Sequence, residues 1–245
     1  MVGGKLWEGK FCYGGSVALG LVSKTIALPP STLFRFMRPY QIAIQSRNMA
    51  TKSSSPSSAI DFLTLCHNLK TTKRTGWVRR DVKGPESIAD HMYRMGLMAL
   101  ITPDIPGVNR DKCIKMAIVH DLAEAIVGDI APSDGVPKAE KSRLEREALD
   151  HMCKLLGGGA SADEIRELWM EYEANASPEA KVVKDLDKVE MILQALEYEK
   201  GNPLIHSIFQ YQGKDLEEFF ESTAGKFQTD LGKAWAKEIA SRRKN

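Results

Sequence analysis

The sequence predicts an all-α protein, and three observations lead to that fold class. From residue 59 onward, apolar side chains recur in steps of three and four, which is the spacing of one helical face. No segment alternates apolar and polar residues over the length of a strand, and no Asn-Gly pair marks a hairpin turn. Glycine-containing clusters at 157–159 and 201–203 stand between the periodic segments and mark connections.

Three helices are predicted in the first half of this region. The first covers residues 60–66, and the second starts at Pro85 and carries an apolar face formed by Ile88, Met92, Met95 and Met98. Asn109 is a good N-cap for a third helix, which we expect to run through Leu122.

Five more helices are predicted toward the C-terminus. Pro137 and Pro178 each open a helix, because a proline in the first turn withholds only an N–H that needs no partner there. Asp163 opens another helix that runs through Trp169. Two short helices, at 215–220 and 231–239, are expected to cover the bundle.

The composition excludes several classes of protein. The chain has 245 residues with a formal net charge of +2, so no global charge attracts nucleic acid. No run of about 20 apolar residues predicts a membrane span. The four cysteines form no CxxC pair, so neither a zinc ribbon nor a disulfide framework is indicated; they are Cys12, Cys66, Cys113 and Cys153.

The first 57 residues differ in composition from the remainder. Up to Ser58 the chain has seven basic residues and one acidic residue, whereas 27 basic and 31 acidic residues follow. We therefore predict a disordered extension over 1–57 and one domain over 58–245. A basic, Ser-rich, acid-poor extension is typical of a transit peptide, which would direct the protein to a plastid or mitochondrion. A second start at Met49 would instead leave the protein in the cytoplasm.

Three ionisable residues interrupt an otherwise apolar segment at 118–129. They are His120, Asp121 and Glu124. A buried carboxylate costs several kcal/mol unless it is paired or binds a metal ion, so a divalent cation would satisfy this group. In a continuous helix, His120 and Glu124 share one face and Asp121 reaches the same point from the flank.

Further segments add a histidine and a carboxylate on other apolar helices, and the order becomes His91, His120-Asp121, Asp187. With these residues the sequence resembles the HD-domain metal-dependent phosphohydrolases, and within them the HD-domain 5′-deoxynucleotidases. The resemblance extends from Phe62 to Phe227. It depends on Arg74-Thr-Gly-Trp-Val, Pro85-Glu-Ser-Ile-Ala-Asp-His-Met-Tyr-Arg-Met, Val119-His-Asp-Leu-Ala-Glu-Ala-Ile-Val-Gly-Asp-Ile-Ala-Pro, Asp185-Leu-Asp-Lys-Val-Glu-Met-Ile-Leu-Gln-Ala and Ser222-Thr-Ala-Gly-Lys-Phe.

The resemblance implies a single-domain helical bundle around a divalent metal ion. Its ligands would be His91, His120, Asp121 and Asp187. Asp185 is the alternative to Asp187 as the last ligand; if it is not a ligand, we interpret Asp185 as a solvent-facing charge. Two imidazoles and two carboxylates suit Mn²⁺, Co²⁺, Mg²⁺ or Fe²⁺ better than a closed zinc site.

The resemblance also implies a role for three residues near that ion. Glu124 and Asp129, with the backbone carbonyl of Ile130 nearby, would either hold a second cation or transfer protons.

The implied substrate is a deoxyribonucleoside 5′-monophosphate, hydrolysed to the deoxyribonucleoside and phosphate. In the loop at 73–80, Arg79 and Trp77 are the preferred substrate contacts, and Arg74 and Arg94 are alternative phosphate ligands. Bacterial members have an arginine directly before the tryptophan, where this chain has Gly76. Trp77 is also the candidate for rejecting a ribose 2′-hydroxyl.

Two alternative functions remain open at this point. One is an HD-type phosphohydrolase that acts on a nucleoside triphosphate, a cyclic dinucleotide or an alarmone. The other is a non-catalytic, metal-containing module that binds nucleotides. The resemblance implies a homodimer, and the charge and composition predict neither a nucleic-acid nor a membrane partner. Six aromatic residues could form such an interface or belong to the core: Trp169, Tyr172, Phe209, Tyr211, Phe219 and Phe220.

Overall fold

The computed structural model describes residues 55–131, 134–200 and 214–244. Most of the N-terminal extension, Phe209 and Tyr211 therefore lie outside the described residues. The described residues belong to one compact unit.

The described part of the chain is helical throughout, which confirms the all-α prediction. It contains no β-strand, and the one extended pairing is an isolated bridge between Lys73 and Ser87. The helices are α1 Pro56–Cys66, α2 Asn68–Thr71, α3 Thr75–Arg79, α4 Ile88–Ile101, α5 Arg110–Val119, α6 Glu124–Val127, α7 Lys138–Leu155, α8 Ala160–Ala174, α9 Pro178–Lys200, α10 Glu217–Thr223 and α11 Asp230–Lys244. In the ranges described, no helix is both long and apolar enough to cross a membrane.

The long helix α9 lies at the centre of the fold. Its apolar residues pack with α4, α5, α8 and α11 in the largest core cluster, which includes Met95, Met116 and Leu186. A second cluster joins α1, α4, α7 and α8 around Phe62 and Trp169. Because α9 contacts α4, α5, α8, α10 and α11, side chains on it can meet residues from distant parts of the sequence.

Several helix starts differ from the predicted positions. Helix α1 begins at Pro56, four residues before the predicted start, and α10 begins at Glu217, two residues after it. Helix α4 begins at Ile88 rather than Pro85, because the Ser87 hydroxyl accepts the Asp90 N–H and Asp90 accepts the Ser87 N–H in a capping box. Helix α8 begins at Ala160, three residues before Asp163.

The prediction of a continuous helix through Leu122 is wrong. Helix α5 ends at Val119, the Leu122 N–H donates to the Val119 carbonyl at 3.1 Å, and the Glu124 N–H donates to the Asp121 carbonyl at 3.0 Å. These are the three-residue steps of a tight turn, in which residues i and i+3 eclipse. His120, Asp121 and Glu124 nevertheless all line one cavity.

Two of the aromatic residues considered for an interface are buried. Trp169 and Tyr172 are 1% and 5% exposed and belong to the core, so they offer no surface to a partner. Phe219 and Phe220 are partly buried against Trp77 and its neighbours.

Candidate metal centre

Four of the residues implied as metal ligands meet in one place. His91 comes from α4, His120 and Asp121 from the turn after α5, and Asp187 from α9. His91 Nε2 lies 3.4 Å from Asp187 Oδ1 and 3.8 Å from Asp121 Oδ2, and His120 Nε2 lies 3.2 Å from Asp121 Oδ2. Potential ligand atoms of His91, His120 and Asp187 all lie within 4.8 Å of one another.

The buried imidazole nitrogens at this centre fit a cation. Among the described residues, neither His91 Nε2 nor His120 Nε2 makes a well-directed hydrogen bond, although both atoms are buried. Each ring is fixed through its other nitrogen: His120 Nδ1 lies 2.9 Å from the Ala117 carbonyl, and His91 Nδ1 lies 2.6 Å from Glu190 Oε2. Two unpartnered imidazole nitrogens facing two carboxylates form a donor set for a divalent metal ion.

Arg74 occupies the side of this centre that faces the cavity. Its Nη1 donates to Asp121 Oδ2 at 3.3 Å, and its Nη2 lies 4.0 Å from Asp187 Oδ1. Burial alone would lower the pKa of Arg74, but Asp121 and Asp187 outweigh burial and raise the pKa. Burial would likewise raise the pKa of Asp121, but His120 and Arg74 outweigh it and lower that pKa. The pair is therefore fully charged near neutral pH.

Glu124 presents an unpartnered carboxylate oxygen beside the centre. Its Oε2 is buried and makes no hydrogen bond in the described part of the chain. Burial, followed by the charges of Asp121 and Asp129, raises the pKa of Glu124 well above its ordinary value. A carboxylate with a raised pKa is a stronger proton acceptor than an ordinary glutamate, which suits proton transfer.

Asp129 and Ile130 are close to Glu124 but have other partners. Asp129 Oδ2 accepts the Thr75 N–H at 2.6 Å, which ties it to the loop that contains Arg74. The Ile130 carbonyl accepts a hydrogen bond from Lys141 Nζ at 2.9 Å, and the same ammonium lies 4.0 Å from Glu124 Oε1.

A cavity of about 600 Å³ opens onto these residues. Its wall includes Arg74, Asp121, Glu124, Asp129, Ile130 and Asp187 together with Trp77. Four lysines also line it, together with two further glutamates: Lys138, Lys141, Lys184, Lys188, Glu145 and Glu173. The cavity therefore combines the carboxylates of the metal centre with cationic side chains on the same wall, which suits an anionic ligand that also contacts a cation.

The candidate substrate residues lie at different places relative to the cavity. Arg79 forms an ion pair with Asp134, whereas Arg74 lines the cavity. Arg94 lies behind His91, where it donates to Glu190 at 2.7 Å and to Glu197 at 2.8 Å. Trp77 is 2% exposed and still reaches the cavity wall, and its indole N–H donates to Glu86 Oε1 at 2.9 Å.

The two aspartates of α9 have different surroundings. Asp187 faces His91 and accepts a hydrogen bond from the Tyr172 hydroxyl at 2.9 Å. Asp185 is fully buried on another side of the helix, so its interpretation as a solvent-facing charge is wrong. It accepts the N–H groups of Gln228 and Thr229 at 2.8 and 2.7 Å, which fixes the start of α11.

Two residues at this centre, Tyr172 and Glu190, were not predicted from the sequence to belong to it. Tyr172 supports Asp187, and burial followed by the Asp187 charge raises the pKa of Tyr172 well above its ordinary value, so its hydroxyl stays protonated. Glu190 supports His91 from a fully buried position. Its place three residues after Asp187 on a helix could have indicated that both face the same side.

The fold and the site together define an all-helical protein with a centre of two histidines and two carboxylates for a divalent cation. The chain belongs to the HD domain family, which matches residues 66–235.

Similar proteins of known name or structure agree with this assignment. A Danio rerio protein, 5′-deoxynucleotidase HDDC2, is 54% identical over 170 residues, which cover 69% of this chain and 79% of the relative. The Schizosaccharomyces pombe 5′-deoxynucleotidase hdd1 is 45% identical over 191 residues, which cover 76% of this chain and 90% of the relative. The PH0347 protein from Pyrococcus horikoshii OT3 superposes with a TM-score of 0.58 at 34% identity, covering 76% of this chain and 98% of that structure.

Proposed function

We propose that this protein is a metal-dependent 5′-deoxynucleotidase, which hydrolyses deoxyribonucleoside 5′-monophosphates to a deoxyribonucleoside and phosphate. The observation that carries the proposal is the pair of unpartnered, buried Nε2 atoms of His91 and His120, which face Asp121 and Asp187 at the end of the cavity. The similarity to relatives named 5′-deoxynucleotidase indicates the substrate class.

His91, His120, Asp121 and Asp187 would hold the ion, and Mn²⁺, Co²⁺ or Mg²⁺ suits their nitrogen and oxygen donors, with Fe²⁺ as a further candidate. When bound, a divalent ion lowers the pKa of water and polarises a phosphoryl oxygen. Glu124, Asp129 and the Ile130 carbonyl would hold a second ion if two ions bind. Native mass spectrometry tests this by counting the ions bound to each chain.

Arg74 is positioned to bind the phosphate group. A guanidinium can donate two parallel hydrogen bonds to phosphate oxygens, and Arg74 lies between the carboxylates and the open cavity. Lys138, Lys141 and Lys184, which also line the cavity, add positive charge that attracts the same dianion. Arg79, which is paired with Asp134, would at most assist from outside this wall.

Glu124 and Asp129 are the proposed proton-transfer residues. Glu124 can accept a proton from the attacking water, because its Oε2 is unpartnered and because burial, with the charge of Asp121, raises its pKa. Asp129 lies on the loop held by Thr75, on the same wall as Arg74. Return of the proton to the departing 5′-oxygen from either carboxyl group completes the hydrolysis.

Trp77 is the proposed contact for the sugar. Its ring is fixed between Phe219, at a centroid distance of 4.3 Å, and Tyr198, at 5.3 Å, so it cannot easily move aside for an extra hydroxyl. A cavity of about 600 Å³ is within the usual range for small-molecule sites.

Phosphate release from a panel of deoxyribo- and ribonucleoside 5′-monophosphates tests the proposal. The assay uses Mn²⁺, Co²⁺, Mg²⁺ or EDTA, with a His120→Ala/Asp121→Ala variant as the control for contaminating phosphatases. We expect release from the deoxy compounds, lost in EDTA and in the variant. Silence with all monophosphates, but turnover of a triphosphate, cyclic dinucleotide or alarmone, would favour another HD-type phosphohydrolase. Metal-dependent nucleotide binding without any turnover would favour the non-catalytic module.

We also propose that the protein forms a homodimer through the outer face of α4. Five large apolar side chains are 42–70% exposed there and on the adjacent α5: Tyr93, Leu97, Leu100, Ile101 and Ile118. They expose roughly 580 Å² together if each side chain contributes about 200 Å² when fully exposed. A standard homodimer interface buries about 800 Å² per partner, of which about 65% is apolar, so this face has the area that a dimer needs.

Light scattering after size exclusion tests the dimer. We expect a dimer for the natural chain and a monomer for Leu97→Asp/Ile101→Asp. Met170→Asp is the matched control, because Met170 is a similarly exposed apolar residue on α8. A monomeric natural chain, or a dimer that survives the double substitution, contradicts the proposal.

The location in the cell is proposed from the N-terminal composition. A transit peptide within residues 1–57 would direct the protein to a plastid or mitochondrion, whereas translation from Met49 would leave it in the cytoplasm. Fluorescent fusions of the full chain and of a chain that starts at Met49 distinguish the two locations.

A further inference from the structure

Glu190 is a fully buried carboxylate directly behind the metal centre. Its Oε2 lies 2.6 Å from His91 Nδ1, and its Oε1 accepts a hydrogen bond from Arg94 Nε at 2.7 Å. Arg94 is held in turn by Gln194 at 2.6 Å and Glu197 at 2.8 Å. Both oxygens of Glu190 therefore face a fixed donor, on the side of His91 away from the cavity.

We propose that Glu190 is a positioning residue that fixes the tautomer and orientation of His91 for metal binding. A carboxylate that accepts the Nδ1 proton leaves Nε2 as the free lone pair, and His91 Nε2 is the atom that faces Asp121 and Asp187. Glu190 touches neither the ion nor the substrate, so its effect is transmitted through His91. The inference rests on the proposed function only in that an ion binds at this centre.

The arrangement of donors makes a carboxylate necessary at position 190. A glutamine has one acceptor oxygen and one NH₂ group, so whichever way it turns, the NH₂ faces either His91 Nδ1–H or the Arg94 guanidinium. Arg94 has little freedom to move away, because Gln194 and Glu197 hold it. Glu190→Gln should therefore release His91 from its orientation although the side chain keeps its volume.

Glu86 provides a matched control within the same cluster. Potential ligand atoms of Glu86, His91 and Glu190 lie within 4.8 Å of one another. The side chain of Glu86 accepts one neutral N–H, from Trp77 at 2.9 Å. Glutamine retains an acceptor for that single donor, so Glu86→Gln removes a carboxylate from the cluster without creating a conflict between donors.

Calorimetric titration of the metal-free full-length protein with Mn²⁺ tests the proposal. We expect Glu190→Gln to bind Mn²⁺ about ten- to a hundredfold more weakly than the natural chain, which is the usual cost of losing the partner of a histidine ligand. We expect Glu86→Gln to stay within about threefold of the natural chain. Turnover by Glu190→Gln should recover at saturating Mn²⁺, which a general loss of structure would not allow.

Four outcomes would overturn the proposal. Equal Mn²⁺ affinity of Glu190→Gln and the natural chain would remove the positioning role. An equal loss in Glu86→Gln would mean that the cluster acts through its total charge, or holds an ion of its own. If Glu190→Gln does not fold, ¹⁵N spectra of the Mg²⁺-loaded natural chain decide, because His91 must carry its proton on Nδ1, and a proton on Nε2 contradicts the proposal. A natural chain that binds no ion would refute the proposed function as well.

Discussion

Asp185 and Asp187 are two residues apart on α9, and we predict that substituting each by asparagine has opposite effects on stability and activity. Asp185→Asn should destabilise the fold and spare the chemistry, whereas Asp187→Asn should spare the fold and abolish activity. The reason is that Asp185 holds the start of α11 and Asp187 faces His91.

The magnitude for Asp185 follows from its partners. Its carboxylate accepts the Gln228 and Thr229 N–H groups, the Thr229 hydroxyl at 2.8 Å and the Lys188 ammonium at 3.2 Å. Asparagine keeps one acceptor oxygen and turns an NH₂ group toward the other donors. Hydrogen bonds to charged groups contribute about 1.5–3 kcal/mol each, so losing about two of them should cost roughly 3–5 kcal/mol. That corresponds to a decrease in Tm of roughly 10 °C for a domain of this size.

Urea unfolding and phosphate release, both at 15 °C, check this pair of variants. We expect Asp185→Asn to unfold at a lower urea concentration than the natural chain. While folded, it should retain most of the natural kcat. We expect Asp187→Asn to lie within about 1.5 kcal/mol of the natural stability, because Asp187 is partly exposed and has fewer fixed donors. The assignment is wrong if Asp187→Asn remains active, or if Asp185→Asn loses activity at full stability.

Three further predictions concern the same centre. Glu124→Gln should lower kcat by about 10²- to 10⁴-fold with Mn²⁺ affinity changed much less; a loss of ion binding in calorimetry would instead make Glu124 a ligand. Arg74→Ala should raise KM for a monophosphate at least tenfold and Arg79→Ala less than threefold, and equal effects in steady-state kinetics would contradict the placement of these arginines. Burial and Arg74 would lower the pKa of His91, but Glu190 and Asp187 raise it to about 10, so an ion must displace a proton and bind more tightly as the pH rises. Calorimetry at pH 7 in buffers of different ionisation enthalpy should show that release, and heats independent of the buffer would refute it.

The fold class was predictable because it depends on local patterns. Apolar spacing and capping residues indicated most of the helices, and the Asn109 cap appears as expected, with its side chain accepting the Lys112 N–H. The end of α5 was not predictable in this way. The apolar pattern continues through Leu122, but the backbone changes to three-residue turns after Val119, and periodicity does not distinguish the two at that length.

The residues of the candidate metal centre were predictable in type and order. The residues that hold their side chains in place were not. A histidine or aspartate inside an apolar helix is conspicuous, so His120 and Asp121 stand out in the sequence alone. Glu190 does not, because a glutamate on a charged helix is ordinary until its partner is known, and His91 is 99 residues away. The choice of Arg74 over Arg79 likewise depends on which way a short helix turns its side chains.

The two histidines of the centre are oriented over very different sequence separations. His120 is held by the carbonyl of a residue only three positions earlier, whereas His91 is held by a residue 99 positions later. Contacts between residues close in sequence form early in folding. Contacts between residues distant in sequence form later, because closing a large loop costs conformational entropy. During synthesis, one half of the centre can therefore take its final shape before α9 exists. His91 can be oriented only after α9 has been synthesised and has packed against α4. The capacity to hold an ion therefore develops late in folding.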